Sequence, residues 1–290
     1  MNFTLYSDVK AFYNSAYDIL MRHEAQNVIP LGNIIIGNEG KDKTDWRDPA
    51  NWFMATITDD NNIILTAVMT TPKNLTLYAT DNKNDDAAIN ILVDNILKND
   101  IHIPGVMSEK SLAERFAQFY AEKRGVKFSI TKNQRIYELT QVNTDIPAIG
   151  TVRLATKKDM SFLPYWMQGF DSDCFGDSLA TKNNTDNYLY RMSVNRLYIL
   201  ENEGMPVTMA KISRDLQTVC VVGLVYTPPY FRGKGYATAC VAAVSQLGLD
   251  RGFKKCVLYT DLDNPTSNSI YMKIGYKPIC DSVDIKFDVG

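Results

Sequence analysis

Apolar and polar positions follow two rhythms along this chain. Over residues 8–22, Val9, Phe12, Ala16, Ile19 and Leu20 recur every three to four positions, which predicts a helix with one buried face. Gly32, Gly37 and Gly40 then predict turns in a loop-rich connection. The rhythm shortens to two across residues 52–58, 63–70 and 75–80, three strands split by Asp59-Asp60-Asn61-Asn62 and Pro72-Lys73-Asn74. A helix follows over 86–97, with Ala88, Ile91, Leu92 and Ile96 inward. An extended piece over 101–106, a helix over 109–124 closed by Gly125, and strands over 127–130 and 134–140 complete the first half.

The second half repeats that order. A strand over 151–155 precedes Thr156-Lys157-Lys158-Asp159, a helix cap with its acid three residues on. The helix carries Met160, Leu163, Trp166 and Met167, and an acidic connection runs over 171–177. Strands over 196–201, 205–212 and 216–226 are separated by turns at 202–204 and 214–215. The next helix places Ala237, Cys240, Val241, Val244 and Leu247 on one stripe, with Thr238, Ser245 and Gln246 turned away and Gly252 as its stop. A strand over 256–260 and another helix close the pattern. The fold class is therefore α/β (α+β), with two tandem domains, each a mixed, mostly antiparallel twisted sheet flanked by helices. Pro147 and Gly150 mark the junction, which gives domains at 1–145 and 150–290.

Chemistry concentrates where the long strand of the second half ends. Pro228-Pro229 stops the sheet ladder, and Arg232-Gly233-Lys234-Gly235-Tyr236-Ala237 leads straight into a helix. The first turn of a helix leaves N–H groups unpaired and favours negative charge. Glycines at 233 and 235 let an anion approach those amides, including the ones at Tyr236, Ala237 and Thr238, and Arg232 and Lys234 add positive charge. The predicted guest is a phosphate or pyrophosphate. A nucleotide P-loop needs Ser or Thr after its Lys, where Gly235 stands, and a dinucleotide fingerprint needs a third Gly, where Thr238 stands.

Arg232, Gly235 and Ala237 instead form Arg-x-x-Gly-x-Ala, which resembles the pyrophosphate signature of the GNAT superfamily of acyl-CoA N-acyltransferases. Asn264-Pro-Thr-Ser267-Asn-Ser-Ile-Tyr271-Met-Lys-Ile-Gly275-Tyr276 resembles a second signature of that superfamily. The resemblance covers the C-terminal half and implies two tandem GNAT-like domains, with acetyl-CoA as co-substrate and no metal. It implies a strand bulge at Leu224, Val225 and Tyr226 whose freed amides bind the coenzyme arm and polarise its carbonyl. Asn264 and Ser267 are implied beside the coenzyme, and Tyr271 as the acid that serves the departing sulfur. An ordinary buried strand and a core tyrosine explain the same residue types. The first half has Asp81-Asn82-Lys83-Asn84-Asp85-Asp86 at the corresponding helix start, with no glycine. Those acids would repel a pyrophosphate, so the first domain is expected to be a degenerate copy without a coenzyme site. It either shapes an acceptor pocket or covers apolar surface.

Composition narrows this further. The chain has 290 residues, 45% hydrophobic and 22% charged, with a net charge of −2, so neither nucleic acid nor an anionic membrane is attracted in bulk. Five cysteines without a Cys-x-x-Cys pair, and no signal-like start, fit a cytoplasmic protein. His23 and His102 are the only histidines, which disfavours a metal site. The expected reaction is transfer of an acetyl group to a primary amine of a small molecule by direct attack on the thioester. The alternatives are a catalytically weak acyl-CoA-binding regulatory module or a protein N-acyltransferase. The general base stays open among Glu201, Asp171 and Asp261, since residues 216–226 hold no carboxylate. Carboxylates over 171–177 either attract a cationic acceptor or line a solvated loop. Cys240 sits on the apolar stripe, which favours a core role over a nucleophile.

Overall fold

The computed structural model describes residues 1–40, 48–80, 85–176 and 196–288. The chain divides into two compact units. One comprises Met1–Ile136 with Asp261–Asp263 and Ile279–Gly290, the other Tyr137–Thr260 with Asn264–Pro278. The division falls at 136/137, upstream of the junction expected between 145 and 150, and the end of the chain groups with its beginning rather than with residues 150–278.

In the first unit, β1 (Asn2–Tyr6), β2 (Trp52–Asp59), β3 (Asn62–Thr70) and β4 (Thr76–Ala79) form an antiparallel sheet in that order. Helix α1 (Val9–Met21) buries Val9, Phe12, Ala16 and Leu20 and starts on Asp8, whose carboxylate accepts from Ala11 N–H at 3.0 Å. The expected glycine turns are instead a second helix, α2 (Val28–Glu39). Gly37 lies inside it because a Cβ there would come within 2.7 Å of the Trp52 ring, and Gly40 ends it at φ +64°. Helices α3 (Asp85–Lys98) and α4 (Lys110–Arg124) flank β5 (Gly105–Glu109). The two strands expected over 127–140 are one, β6 (Lys127–Leu139). The last strand, β12 (Lys277–Asp288), lies between β5 and β6 and pairs antiparallel with β5. It puts Val283, Ile285 and Phe287 into the same core as Leu92, Phe116 and Tyr120. That pairing is why the C-terminal residues belong to the first unit.

The second unit orders β7 (Thr151–Leu154), β8 (Arg196–Asn202), β9 (Met205–Ser213), β10 (Val219–Tyr226) and β11 (Lys255–Asp261). The first four are antiparallel neighbours, and β10 runs parallel to β11. Thr156 and Asp159 form the expected capping box, but it opens a short 3-10 helix, Lys157–Ser161, before α5 (Leu163–Phe175). Helix α5 runs through most of the expected acidic connection, so Asp171 and Asp173 are helical, while Asp177 lies outside the described residues. Helix α6 (Tyr236–Asp250) packs on β9 and β10 through Ala239, Cys240, Val241, Val244, Ser245 and Gly248. Its buried stripe is rotated from the expected one: Leu247 is exposed, and Ser245 is buried because its hydroxyl meets the Tyr276 hydroxyl at 2.7 Å. Helix α7 (Pro265–Ile274) starts on Asn264 and ends at Gly275, φ +116°.

Candidate functional site

β10 carries the site because its two neighbours treat it differently. Its pairing with β11 covers only Val219, Cys220 and Val221, although both strands continue beyond. Its pairing with β9 slips between Gly223 and Tyr226. Leu224 takes φ +50°, a left-handed conformation costly for a branched side chain, which the burial of that side chain among Leu163, Met167, Leu197, Ile199 and Met209 holds in place. The expected bulge at Leu224, Val225 and Tyr226 is therefore present. It sits where the parallel strands have parted, so main-chain groups there have no partner strand on the β11 side.

The loop after β10 delivers the helix start. Pro229–Phe231 makes one 3-10 turn, Gly233 and Gly235 take φ +76° and +81°, and residues 232–235 are all exposed. The first backbone bond of α6 runs from Ala239 N–H to the Gly235 carbonyl at 3.1 Å, and no side chain caps the helix. The amides of Tyr236, Ala237 and Thr238 thus open to the outside of the loop. They form a cradle for an anionic group. Such a cradle is chemically suited to a phosphate or pyrophosphate.

Arg232 is placed differently from the expectation of a guanidinium turned to the ligand. Its Nε donates to the Thr227 carbonyl at 2.8 Å, its Nη2 pairs with Asp173 Oδ2 at 2.7 Å, and its Cζ lies 5.7 Å from the Tyr226 ring centre. Asp173 stands on the last turn of α5, so the ion pair ties that helix to the glycine loop. A second tie was equally illegible in sequence: an added Cβ at Gly169 would overlap the Tyr226 hydroxyl, so only glycine lets α5 seat against β10 there. The carboxylate of Asp173 is consequently engaged, not free to attract a cationic acceptor.

Tyr271 is 7% exposed, packed between the rings of Tyr137 at 6.4 Å and Tyr276 at 6.0 Å. Burial pushes its phenol up to about 12, the Cys174 thiol adds to the rise, and a hydrogen bond from Ser267 opposes it. The hydroxyl therefore has polar neighbours from α7 and from the end of α5. Asn264 is drawn into capping α7, where its Oδ1 accepts from Ser267 N–H at 3.0 Å. Tyr236 meets Asn202 Nδ2 with its hydroxyl at 3.3 Å.

The three candidate bases divide. Glu201 pairs with Arg153 at 2.7 Å, in a network where the Arg153 guanidinium holds Asp159 below the usual carboxylate range. Asp261 accepts from Asp263 N–H at 2.9 Å and groups with the first unit. Asp171 is buried on α5. Cys240 is fully buried, and burial alone pushes its thiol up to about 12, which suits a core residue and not a nucleophile. Among the described residues no group of three His, Cys, Asp or Glu side chains is placed to hold a metal ion, and no helix is long and apolar enough to cross a membrane.

In the first unit the equivalent helix start is filled from within. Asp85 opens α3, is 3% exposed and pairs with Arg115 at 2.8 Å, while Arg115 also reaches Asp86 at 2.9 Å. Residues 81–84 of that acidic run lie outside the described residues.

Comparison with known proteins agrees with this fold. Residues 164–276 match the model of the Acetyltransferase (GNAT) family. A GCN5-related N-acetyltransferase from Sphaerobacter thermophilus superposes with a TM-score of 0.61 at 16% identity, over 98% of this chain and 95% of that one. A GNAT-family acetyltransferase from Colwellia psychrerythraea gives 0.55 at 11% identity, over 99% of both chains. A tandem GNAT protein from the clavulanic acid biosynthesis pathway gives 0.54 at 11% identity, over 99% of this chain and 97% of that one. At such identities the structural likeness speaks for the fold. No curated protein matches the sequence.

Proposed function

We propose that this chain, a GNAT protein of tandem fold, is an N-acetyltransferase that moves an acetyl group from acetyl-CoA to a primary amine of a small molecule. The observation that carries the reading is the uncapped start of α6, set directly after a strand that has just left its parallel neighbour. Bound acetyl-CoA supplies the acetyl group as an activated thioester. The amides of residues 236–238 hold the pyrophosphate, and the bulge at Leu224 to Tyr226 offers main-chain donors to the carbonyl oxygen as negative charge builds there. Tyr271 offers its hydroxyl to the sulfur. Its phenol at about 12 lies above an ordinary thiol near ~8.5, so complete proton transfer to the leaving thiolate is uphill by several kcal/mol. Tyr271 therefore acts as a hydrogen-bond donor, and the attacking amine, which must shed a proton anyway, supplies the proton the thiolate finally keeps.

The engagement of Glu201 by Arg153 and the lack of any carboxylate on β10 favour a second reading, an acyl-CoA-binding module with weak catalysis. Thiol release from acetyl-CoA across a panel of primary amines, with calorimetric titration of acetyl-CoA alongside, separates the two. Micromolar binding with amine-dependent release supports the enzyme, binding without release supports the module, and absence of binding removes both.

A further inference from the structure

One aromatic side chain beside the cradle is largely exposed. Tyr230 is 80% exposed; it sits in the 3-10 turn with Pro229, and its ring meets the half-buried Phe231 ring edge-on at 5.3 Å. Lys234, held between two left-handed glycines, lays its ammonium 4.8 Å from the Tyr230 ring centre and 5.9 Å from that of Phe231. No carboxylate among the described residues pairs with it. An exposed ring and a cation with no carboxylate partner among the described residues thus stand together a few residues from an anion cradle.

Coenzyme A carries two features past its pyrophosphate: a purine and a phosphomonoester on the 3′ carbon of its ribose. The purine calls for a flat platform, and the phosphomonoester, with nearly two negative charges, for a cation. We propose that Tyr230 and Lys234 read this end of the coenzyme, the ring by stacking on the purine and the ammonium by pairing with the 3′-phosphate. The proposal rests on the coenzyme reading above and goes beyond it. It takes Lys234 away from the pyrophosphate, which the α6 amides satisfy, and gives Tyr230 a role as a specificity residue.

The test is calorimetric titration of the full chain with coenzyme A and with 3′-dephospho-coenzyme A, for the wild type, Lys234→Ala, Tyr230→Ala and Tyr230→Phe. The wild type should prefer coenzyme A by about tenfold or more, and raised ionic strength should shrink that preference. Lys234→Ala should bring the two ligands within about threefold by losing affinity for coenzyme A alone. Tyr230→Ala should weaken both ligands by about tenfold, and Tyr230→Phe should restore both, because stacking needs the ring and not the hydroxyl. Equal binding of the two ligands by the wild type overturns the proposal and leaves the coenzyme site standing. So does a Lys234→Ala variant that weakens both alike, or a Tyr230→Ala variant that weakens neither. A wild type that binds neither ligand overturns the coenzyme reading and this proposal together.

Discussion

Replacing Gly235 by Asp separates the cradle from the fold. Gly235 is the N-cap of α6 at φ +81°, and an added Cβ meets only the terminal methyl of Ile149, at 3.3 Å. The left-handed conformation costs a non-glycine residue about 1–2 kcal/mol, at the lower end for Asp, while an N-cap carboxylate returns about a few tenths of a kcal/mol over glycine. Stability should thus change by about 1 kcal/mol or less, small against the usual ~5–15 kcal/mol of a folded domain. Binding should suffer far more. The new carboxylate accepts from the amides of Ala237 or Thr238, which a phosphate would otherwise use, and each charge-assisted bond lost is worth about 1.5–3 kcal/mol. A carboxylate ~5 Å from a phosphate charge adds about 2 kcal/mol of repulsion at an effective dielectric near ~40. Together these exceed ~3 kcal/mol, at least about a hundredfold in Kd for acetyl-CoA. Titration calorimetry at neutral pH reads the affinity, and thermal unfolding reads the fold. Gly235→Ala, which brings the strain without the charge, should lose under about tenfold. An Asp variant with an intact melt and an affinity within about threefold of wild type would refute the cradle.

Three further outcomes follow from the same geometry. Asp173→Asn releases Arg232 from a half-exposed ion pair, so stability should move by less than about 1 kcal/mol while acetyl-CoA affinity rises a few-fold at low salt; a fall in affinity would show that Asp173 orients the arginine instead. Tyr271→Phe should lower kcat by about ten- to a hundredfold with the acetyl-CoA Kd nearly unchanged. Because the folded pKa of Tyr271 is raised, its contribution to stability is complete below pH ~10 and lost as pH rises toward about 12, worth roughly 2–3 kcal/mol, and the Phe variant should lack that loss in alkaline denaturation. Ending the chain after Pro278 removes Val283, Ile285 and Phe287 from the first unit's core, about 1.5–3 kcal/mol each, enough to match a whole domain's stability. Hydrogen exchange should then show β2 to β4 unprotected, and retained protection there would contradict the assignment of β12 to that unit.

What could be read from sequence had local causes. The stripe of α1, the polar turns of the first meander, the capping pair Thr156 and Asp159, and Asn264 at the start of α7 all depend on residues within one turn of each other. The glycine loop was legible for the same reason, since its chemistry lies in main-chain groups that two glycines expose. The misreadings had distant causes. Gly37 looks like a turn until Trp52 is laid against it, and Ser245 looks like a surface residue until Tyr276 arrives 31 positions later. Thr131-Lys132-Asn133 reads as a break, yet β6 continues because Thr131 Oγ1 donates to the Asp284 carbonyl at 3.0 Å and the Asn133 carbonyl accepts from Leu262 N–H at 2.9 Å. The hold of Asp173 on Arg232 bridges 59 positions and has no local signature at all.

The two units treat the start of the helix after the fourth strand differently, and the proposed coenzyme site depends on that difference. Each has a threonine on its middle strand whose hydroxyl donates to the carbonyl of a tyrosine closing the next strand: Thr66 to Tyr78 at 3.4 Å and Thr208 to Tyr226 at 2.9 Å. Each of those tyrosine hydroxyls meets the helical segment after the unit's first strand, Tyr78 at His23 Nδ1 (2.7 Å) just past α1 and Tyr226 at Gly169 on α5. These contacts correspond, so the difference is in what fills the gap. In the first unit the Ser108 hydroxyl donates to the Leu77 carbonyl, which keeps β5 tied to β4, and Asp85 with Arg115 neutralises the start of α3. In the second unit β10 and β11 lose contact after Val221, and the start of α6 has glycine where the first unit has a carboxylate. A helix N-terminus attracts negative charge in either case. In the first unit the chain supplies that charge itself; in the second, two glycines leave the place open for the anion that the proposed function assigns to it.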